Sequence, residues 1–131
     1  MSRQLIASTS PYAQIIGFSR AVRVDNHISI GGTAPIDEHG MTVGVGNPAI
    51  QTQQCIETIK AALESAGCSL NDVVRTRIML TNIDHWKEVA EVRGQYFTGI
   101  LPVDTVVEVS RFINPDWLIE IEVDAIVSQV T

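Results

Sequence analysis

Three acids alternate near the C-terminus: Glu120, Glu122 and Asp124 interleave with Ile119, Ile121, Val123 and Ala125. A period of two puts the carboxylates on one face of a strand and the apolar side chains on the other. A carboxylate held at such a place can act as a general base. A row of like charges also costs stability unless cations stand on neighbouring strands, and Arg75 and Arg77, likewise two apart, are the available partners. Solvation alone is the plainer reading of the row; a sheet face carrying both signs points instead to a pocket or an assembly interface. A second charge stands out by position. Arg93 falls inside the apolar stripe Trp86, Val89, Tyr96 and Phe97 of an expected helix. A charge there calls for a reason: either it snorkels at the stripe's edge or it lines a pocket or interface.

Other chemistries find little to stand on. Gly44-Val-Gly46-Asn-Pro-Ala49 has the letters of a dinucleotide-binding turn, but no strand feeds it and no acidic strand end follows at the right distance. There is no phosphate-binding G-x-x-x-x-G-K-[ST] and no G-x-S-x-G elbow. His27, His39 and His85 are scattered, so no metal site is expected. Cys55 is placed on a helix and Cys68 beside a turn; packing explains both, and no cofactor is expected.

The elements that must position these residues are legible in outline. Arg20-Ala-Val-Arg-Val and His27-Ile-Ser-Ile-Gly flank Asp25-Asn26, a hairpin signal. Asn47-Pro48 suits a helix start and Gly67 a helix stop, with Thr52, Ile56, Ile59, Leu63 and Ala66 at helical spacing between them. From Asp72 to Thr81 the chain alternates, with Val74, Thr76, Ile78 and Leu80 expected on one face and Val73, Arg75, Arg77 and Met79 on the other. A second helix is expected from near Asp84 to near Phe97. Strands follow from Asp104 to Ser110, with Asp104, Val106 and Glu108 on one face, and from Ile119 to Ala125. The order predicts an α+β, two-layer sandwich: one antiparallel-leaning sheet with two helices on one face. The other face then needs cover from water or from another subunit.

The chain has 131 residues, of which 45% are hydrophobic and 18% charged, enough to bury a core as a single domain over residues 1–131. A net charge of −6 and the absence of a basic block argue against binding a phosphate backbone, so no nucleic-acid partner is expected. The chain holds no run of 18 apolar residues, and the apolar run at its start is too short for a signal peptide. A cytoplasmic protein without membrane attachment is expected.

Taken together, the motifs resemble those of the RidA/YjgF family, also called L-PSP endoribonuclease-like. The matching pieces are Gly17-Phe-Ser-Arg-Ala-Val, Asn26 leading to Ile30-Gly-Gly-Thr33, Gln51-Thr52, and Ala66-Gly67-Cys-Ser-Leu-Asn-Asp72-Val-Val. Leu80-Thr81, Gly94-Gln-Tyr-Phe97, Pro102, Val107-Glu-Val109 and Ile119-Glu-Ile-Glu122 complete them. Each is weak alone; their order and spacing carry the resemblance. It implies a chorismate-mutase-like fold, a homotrimer with small-molecule pockets at the subunit interfaces, and hydrolysis of reactive 2-imino acids and their enamine tautomers. In the family an arginine clamps the substrate carboxylate and a glutamate positions or activates the water.

The glutamate corresponds to Glu120, the expected catalytic residue. The arginine position holds Asp104. Other expected pocket positions also depart from the pattern: Phe18 for tyrosine, Gly31 for serine, Ala90 for asparagine, Arg93 for tyrosine and Val106 for cysteine. Loss of a charged hydrogen bond costs about 1.5–3 kcal/mol, and like charges about 4 Å apart cost about 4 kcal/mol at an effective dielectric near 20. Together these predict a deficit of about three to five decades on 2-imino acids, unless another cation intervenes. Arg93 is the candidate, either neutralising Asp104 or binding the carboxylate itself, with neutralisation favoured because a desolvated aspartate needs a partner. The substrate expected is a neutral or cationic imine or enamine. The alternative is a non-catalytic trimeric binding or regulatory protein that keeps the pocket without the chemistry.

Overall fold

The computed structural model describes residues 2–128. Asp25 takes a left-handed conformation, φ 53°, and turns Ala21–Val24 (β2) back onto His27–Thr33 (β3). This is the expected hairpin, with Ala21 opposite Ile30 and Val24 opposite His27. Arg3–Ile6 (β1) pairs with the other side of β2, and a single helical turn, Ala13–Ile16 (α1), lies between β1 and β2 in the chain.

Pro48–Ser65 (α2) begins as its sequence demands. The Asn47 side chain accepts a hydrogen bond from the Ile50 N–H at 3.0 Å, and Pro48 takes the first turn, where a missing N–H costs nothing. Gly67, at φ +83°, follows the helix end in a conformation that suits glycine. Thr52, Ile56, Ile59 and Leu63 are all buried, as their spacing requires.

Val73–Leu80 (β4) is followed by a 3-10 turn, Ile83–His85, that leads into Trp86–Phe97 (α3). Val103–Glu108 (β5) and Ile119–Ile126 (β6) complete the elements. The sheet order is β1-β2-β3-β6-β4-β5, and among the described residues only the β4–β5 pair is parallel. Helices α2 and α3 pack on one face, over a core that includes Ile28, Ile56, Leu63, Ile78, Ile119 and Ile121. This is the expected α+β architecture, a mixed and mostly antiparallel sheet with helices on one side.

Two expectations need correction. Val74 does not share the inward face with Thr76, Ile78 and Leu80. A register shift against β6 between Val73 and Arg75 turns Val73 into the core and leaves Val74 exposed. In α3, only Val89 and Phe97 of the expected stripe are buried. Trp86 is 51% exposed, because the first turn of the helix borders a surface cavity instead of the core.

Candidate functional site

The acids of β6 lie as their alternation requires, but their circumstances differ. Arg77 donates to Glu122 through Nε, and its Nη2 stands 3.6 Å from Asp124. Arg75 reaches Asp124 at 3.8 Å. These are the expected cross-strand partners. Glu120 is opposite Met79 on β4, so neither arginine reaches it.

The backbone on the other side of Glu120 is irregular. Ile30 pairs with Val123 and Thr33 with Ile121, so β3 advances three residues where β6 advances two. The bulge falls at Gly31 and Gly32. A Cβ on Gly32 would collide with Glu120 Oε1, so only glycine lets the carboxylate lie this close to the backbone. Among the described residues, the Glu120 carboxylate receives no hydrogen bond and has no cation within 4 Å. It is half-buried, and burial raises its pKa above the usual carboxylate range; Arg20 opposes that shift and Glu122 adds to it.

Glu120 opens into a cavity of about 310 Å³ walled by Tyr12, Phe18, Gly31, Gly32 and Trp117, with Arg20 also in the lining. Tyr12 meets Trp117 edge to face at 5.8 Å, and the Trp117 indole N–H donates to Thr42 at 3.0 Å, which fixes that wall.

Asp104, Arg93 and Val106 assemble elsewhere. Thr76, 1% exposed, donates its hydroxyl to Asp104 at 2.7 Å and accepts from Arg93 Nε at 3.0 Å and Nη2 at 2.8 Å. Arg93 Nε is 3.5 Å from Asp104, and its guanidinium lies 5.0 Å from the Phe97 ring centroid. Arg93 therefore neutralises Asp104, the favoured of its two expected roles. A cavity of about 250 Å³ beside them is bordered by Trp86, Ala90, Val106 and Ile83.

The expected site residues thus form two groups. Phe18, Gly31 and Glu120 line one cavity; Ala90, Arg93, Asp104 and Val106 line the other. Asp104 pairs in register with inward-facing Thr76, whereas Glu120 alternates with inward-facing Ile119 and Ile121. The two carboxylates therefore belong to opposite faces of one sheet, and a single subunit cannot bring them together. Arg20, Gly32, Thr76, Tyr12 and Trp117 were not signalled by sequence pattern; the Gly-Gly pair within an alternating strand was the one cue to a bulge.

A model of the Endoribonuclease L-PSP family matches residues 8–127. The chain belongs to this family. A RutC family protein of Pyrococcus abyssi is 38% identical over 122 residues, which span 93% of this chain and 95% of that protein. The 3-aminoacrylate deaminase RutC of Acinetobacter baylyi is 33% identical over 121 residues, 92% of this chain and 95% of that protein. Among solved structures, Rv2704 of Mycobacterium tuberculosis, a member of the YjgF/YER057c/UK114 family, superposes with a TM-score of 0.88. It is 42% identical, and the match covers 96% of this chain and 100% of that one. The family resemblance drawn from the motifs is therefore correct, and so is the fold it implied.

Proposed function

We propose that this member of the family is a deaminase-type hydrolase of reactive imines and enamines, with Glu120 as general base. The observation that carries this reading is the state of Glu120: half-buried, without an ion-pair partner among the described residues, and lining a cavity. A carboxylate so placed has a raised proton affinity and room beside it for water, which is what a base working near neutral pH needs. The similarity to an Acinetobacter 3-aminoacrylate deaminase supports the reaction class. Water adds to the imine carbon while Glu120 takes a proton from it and passes that proton to the imine nitrogen, giving a neutral carbinolamine. Glu120 then takes the hydroxyl proton and delivers it to nitrogen as the C–N bond breaks, so that ammonia leaves behind a carbonyl.

The active unit in this reading is a homotrimer. The two groups of residues lie on opposite faces of a sheet, so a second copy must bring its Asp104 cluster to the Glu120 cavity. Light scattering should give about three times the 14.3 kDa of one chain.

The substrate is neutral or cationic instead of a 2-imino acid, since the carboxylate clamp is replaced by Asp104. Because Arg93 neutralises that aspartate, the repulsive part of the sequence-based estimate drops out. What remains is the missing charged hydrogen bond, about 1.5–3 kcal/mol, or about one to two decades. Ribonuclease action is no part of this reading: Arg75 and Arg77 are already engaged by acids on the open sheet face.

The test compares two imines made in situ: iminobutanoate from threonine with a dehydratase, and an uncharged imine from a primary amine with an amine oxidase. The chain should accelerate loss of the uncharged imine, and its iminobutanoate rate should fall about 10- to 100-fold below that of a relative with arginine at the position of Asp104. Acceleration of neither would favour the binding-protein alternative, to which the absent clamp already lends weight.

A further inference from the structure

Among the described residues, Arg20 is a cation without a carboxylate of its own. It is 4% exposed, and its hydrogen bonds go to neutral oxygens: Gly32 O at 3.1 Å, Thr33 Oγ1 at 3.3 Å and Ser8 Oγ at 2.7 Å. Among the described residues, no acid lies within 4 Å of it. A buried guanidinium loses much of its hydration and is stabilised by a nearby anion. Glu120 has the converse problem, and both line the same cavity.

The Gly31–Gly32 bulge ties the two together. Gly32 offers its carbonyl to Arg20 Nη1, and the Glu120 carboxylate lies where a Gly32 side chain would be. Thr33, fully buried, accepts from Arg20 and donates to Gly31 O at 2.8 Å, which locks the bulge in shape. One backbone feature therefore sets the position of both charges.

We propose that Arg20 is the positioning residue of this site: anchored on the Gly31–Gly32 bulge, its guanidinium keeps the Glu120 carboxylate ionised in the cavity they share. The role rests on the reading of Glu120 as the base. The ionisable groups acting on Glu120 are few. Arg20 favours its charged form, Glu122 on the same strand opposes it, and Met79 across on β4 is neutral. Cys55 on α2 is buried, and burial raises its thiol pKa, so it stays protonated and adds no charge.

The experiment titrates Glu120 directly, by carboxyl carbon NMR on the full chain, in the parent, Arg20→Gln and Arg20→Lys. Loss of the cation should raise the Glu120 pKa on the order of one unit, and lysine should restore most of it. A pKa unchanged in Arg20→Gln would overturn the proposal. If Arg20→Gln does not fold, Ser8→Asp keeps the guanidinium in place and neutralises it from the Nη2 side; the Glu120 pKa must then rise, and no change again overturns the proposal. Because this readout needs no substrate, a chain without hydrolase activity could still show the coupling. That outcome would refute the hydrolase reading and leave the electrostatic role of Arg20 intact.

Discussion

Glu120 and Asp104 are both carboxylates in strands of one sheet, and they are held in opposite ways. Asp104 is satisfied although its residue is exposed: Thr76 donates to it, Arg93 neutralises it, and the Phe97 ring lies against that arginine. Glu120 has a cavity before it and glycine beneath it and, among the described residues, no donor in reach. Its strand neighbours Glu122 and Asp124 sharpen the contrast, since both have arginine partners. Satisfying a charged group fixes a structure, whereas a charge left unsatisfied keeps its capacity to take up a proton or a ligand. Under the proposed function, chemistry falls to Glu120 and shape to Asp104.

The largest expected effect follows from that assignment. Glu120→Gln should lower imine hydrolysis by about 10²- to 10⁴-fold, because an amide cannot take the water's proton. Glu122→Gln, which breaks only a partly exposed ion pair, should leave the rate within a few-fold and the stability little changed. Equal losses in the two variants would erase the distinction between them.

The next effect lies on the Asp104 side. Asp104→Arg restores a planar fork suited to a carboxylate, but sets it against Arg93 as a like charge. Asp104→Arg combined with Arg93→Tyr should therefore gain more activity on iminobutanoate than the single change, about 10- to 100-fold over the parent. The pair should be non-additive by roughly 0.5–3 kcal/mol, as expected of residues in contact. If the double variant binds 2-oxobutanoate no better than the parent, Asp104 does not face the ligand.

The sequence carried most of the fold because the signals were local. Asn47-Pro48 and Gly67 bounded α2, and unbroken alternation placed every residue of β6 on its proper face. Where alternation failed, so did the reading. The shift at Val73 to Arg75 exchanged Val73 and Val74, and nothing in a run of β-branched residues announces a bulge. In the site, Glu120 stood out as one of three acids, but which acid lacked a partner depended on register across strands. Arg20 sat within an ordinary hairpin pattern, and its burial comes from contacts to Ser8 and Gly32, which local spacing cannot encode. Arg93 was conspicuous because its charge broke an apolar stripe, whereas Thr76, which joins it to Asp104, looked like any strand threonine.

Thr76 supplies a smaller effect. Thr76→Val keeps the shape and removes the hydroxyl that bridges Asp104 and Arg93. The variant should lose about 1–3 kcal/mol of stability, read from denaturant midpoints, since the part-buried Arg93 and its ion-pair partner Asp104 lose the hydroxyl between them. Hydrolysis of an uncharged imine should change less than in Glu120→Gln. A variant as stable as the parent would show that Arg93 and Asp104 hold each other without the bridge.

The smallest effect is a difference in pH dependence between two acids. Burial raises the folded-state pKa of Glu120 above its unfolded value, so in the window between the two the folded chain binds more protons than the unfolded chain. Stability from this group therefore falls as pH rises through that window and stays lowered above it. Glu120→Gln removes the dependence: its thermal midpoint should match or trail the parent's below the ordinary glutamate range and gain on it as pH climbs toward neutrality. Asp37 behaves with the opposite sign. The backbone N–H groups of Met41 and His39 stabilise its charged form and lower its pKa, so its contribution is present above the ordinary aspartate range and fades as pH falls through the lowered value. Asp37→Asn should accordingly lose stability relative to the parent near neutral pH, and the loss should shrink in acid. Midpoints of the parent and both variants, measured from acid to neutral pH, should give differences that grow in opposite directions; two differences of the same sign would mean that the desolvation of Glu120 is relieved by a partner supplied at the subunit interface.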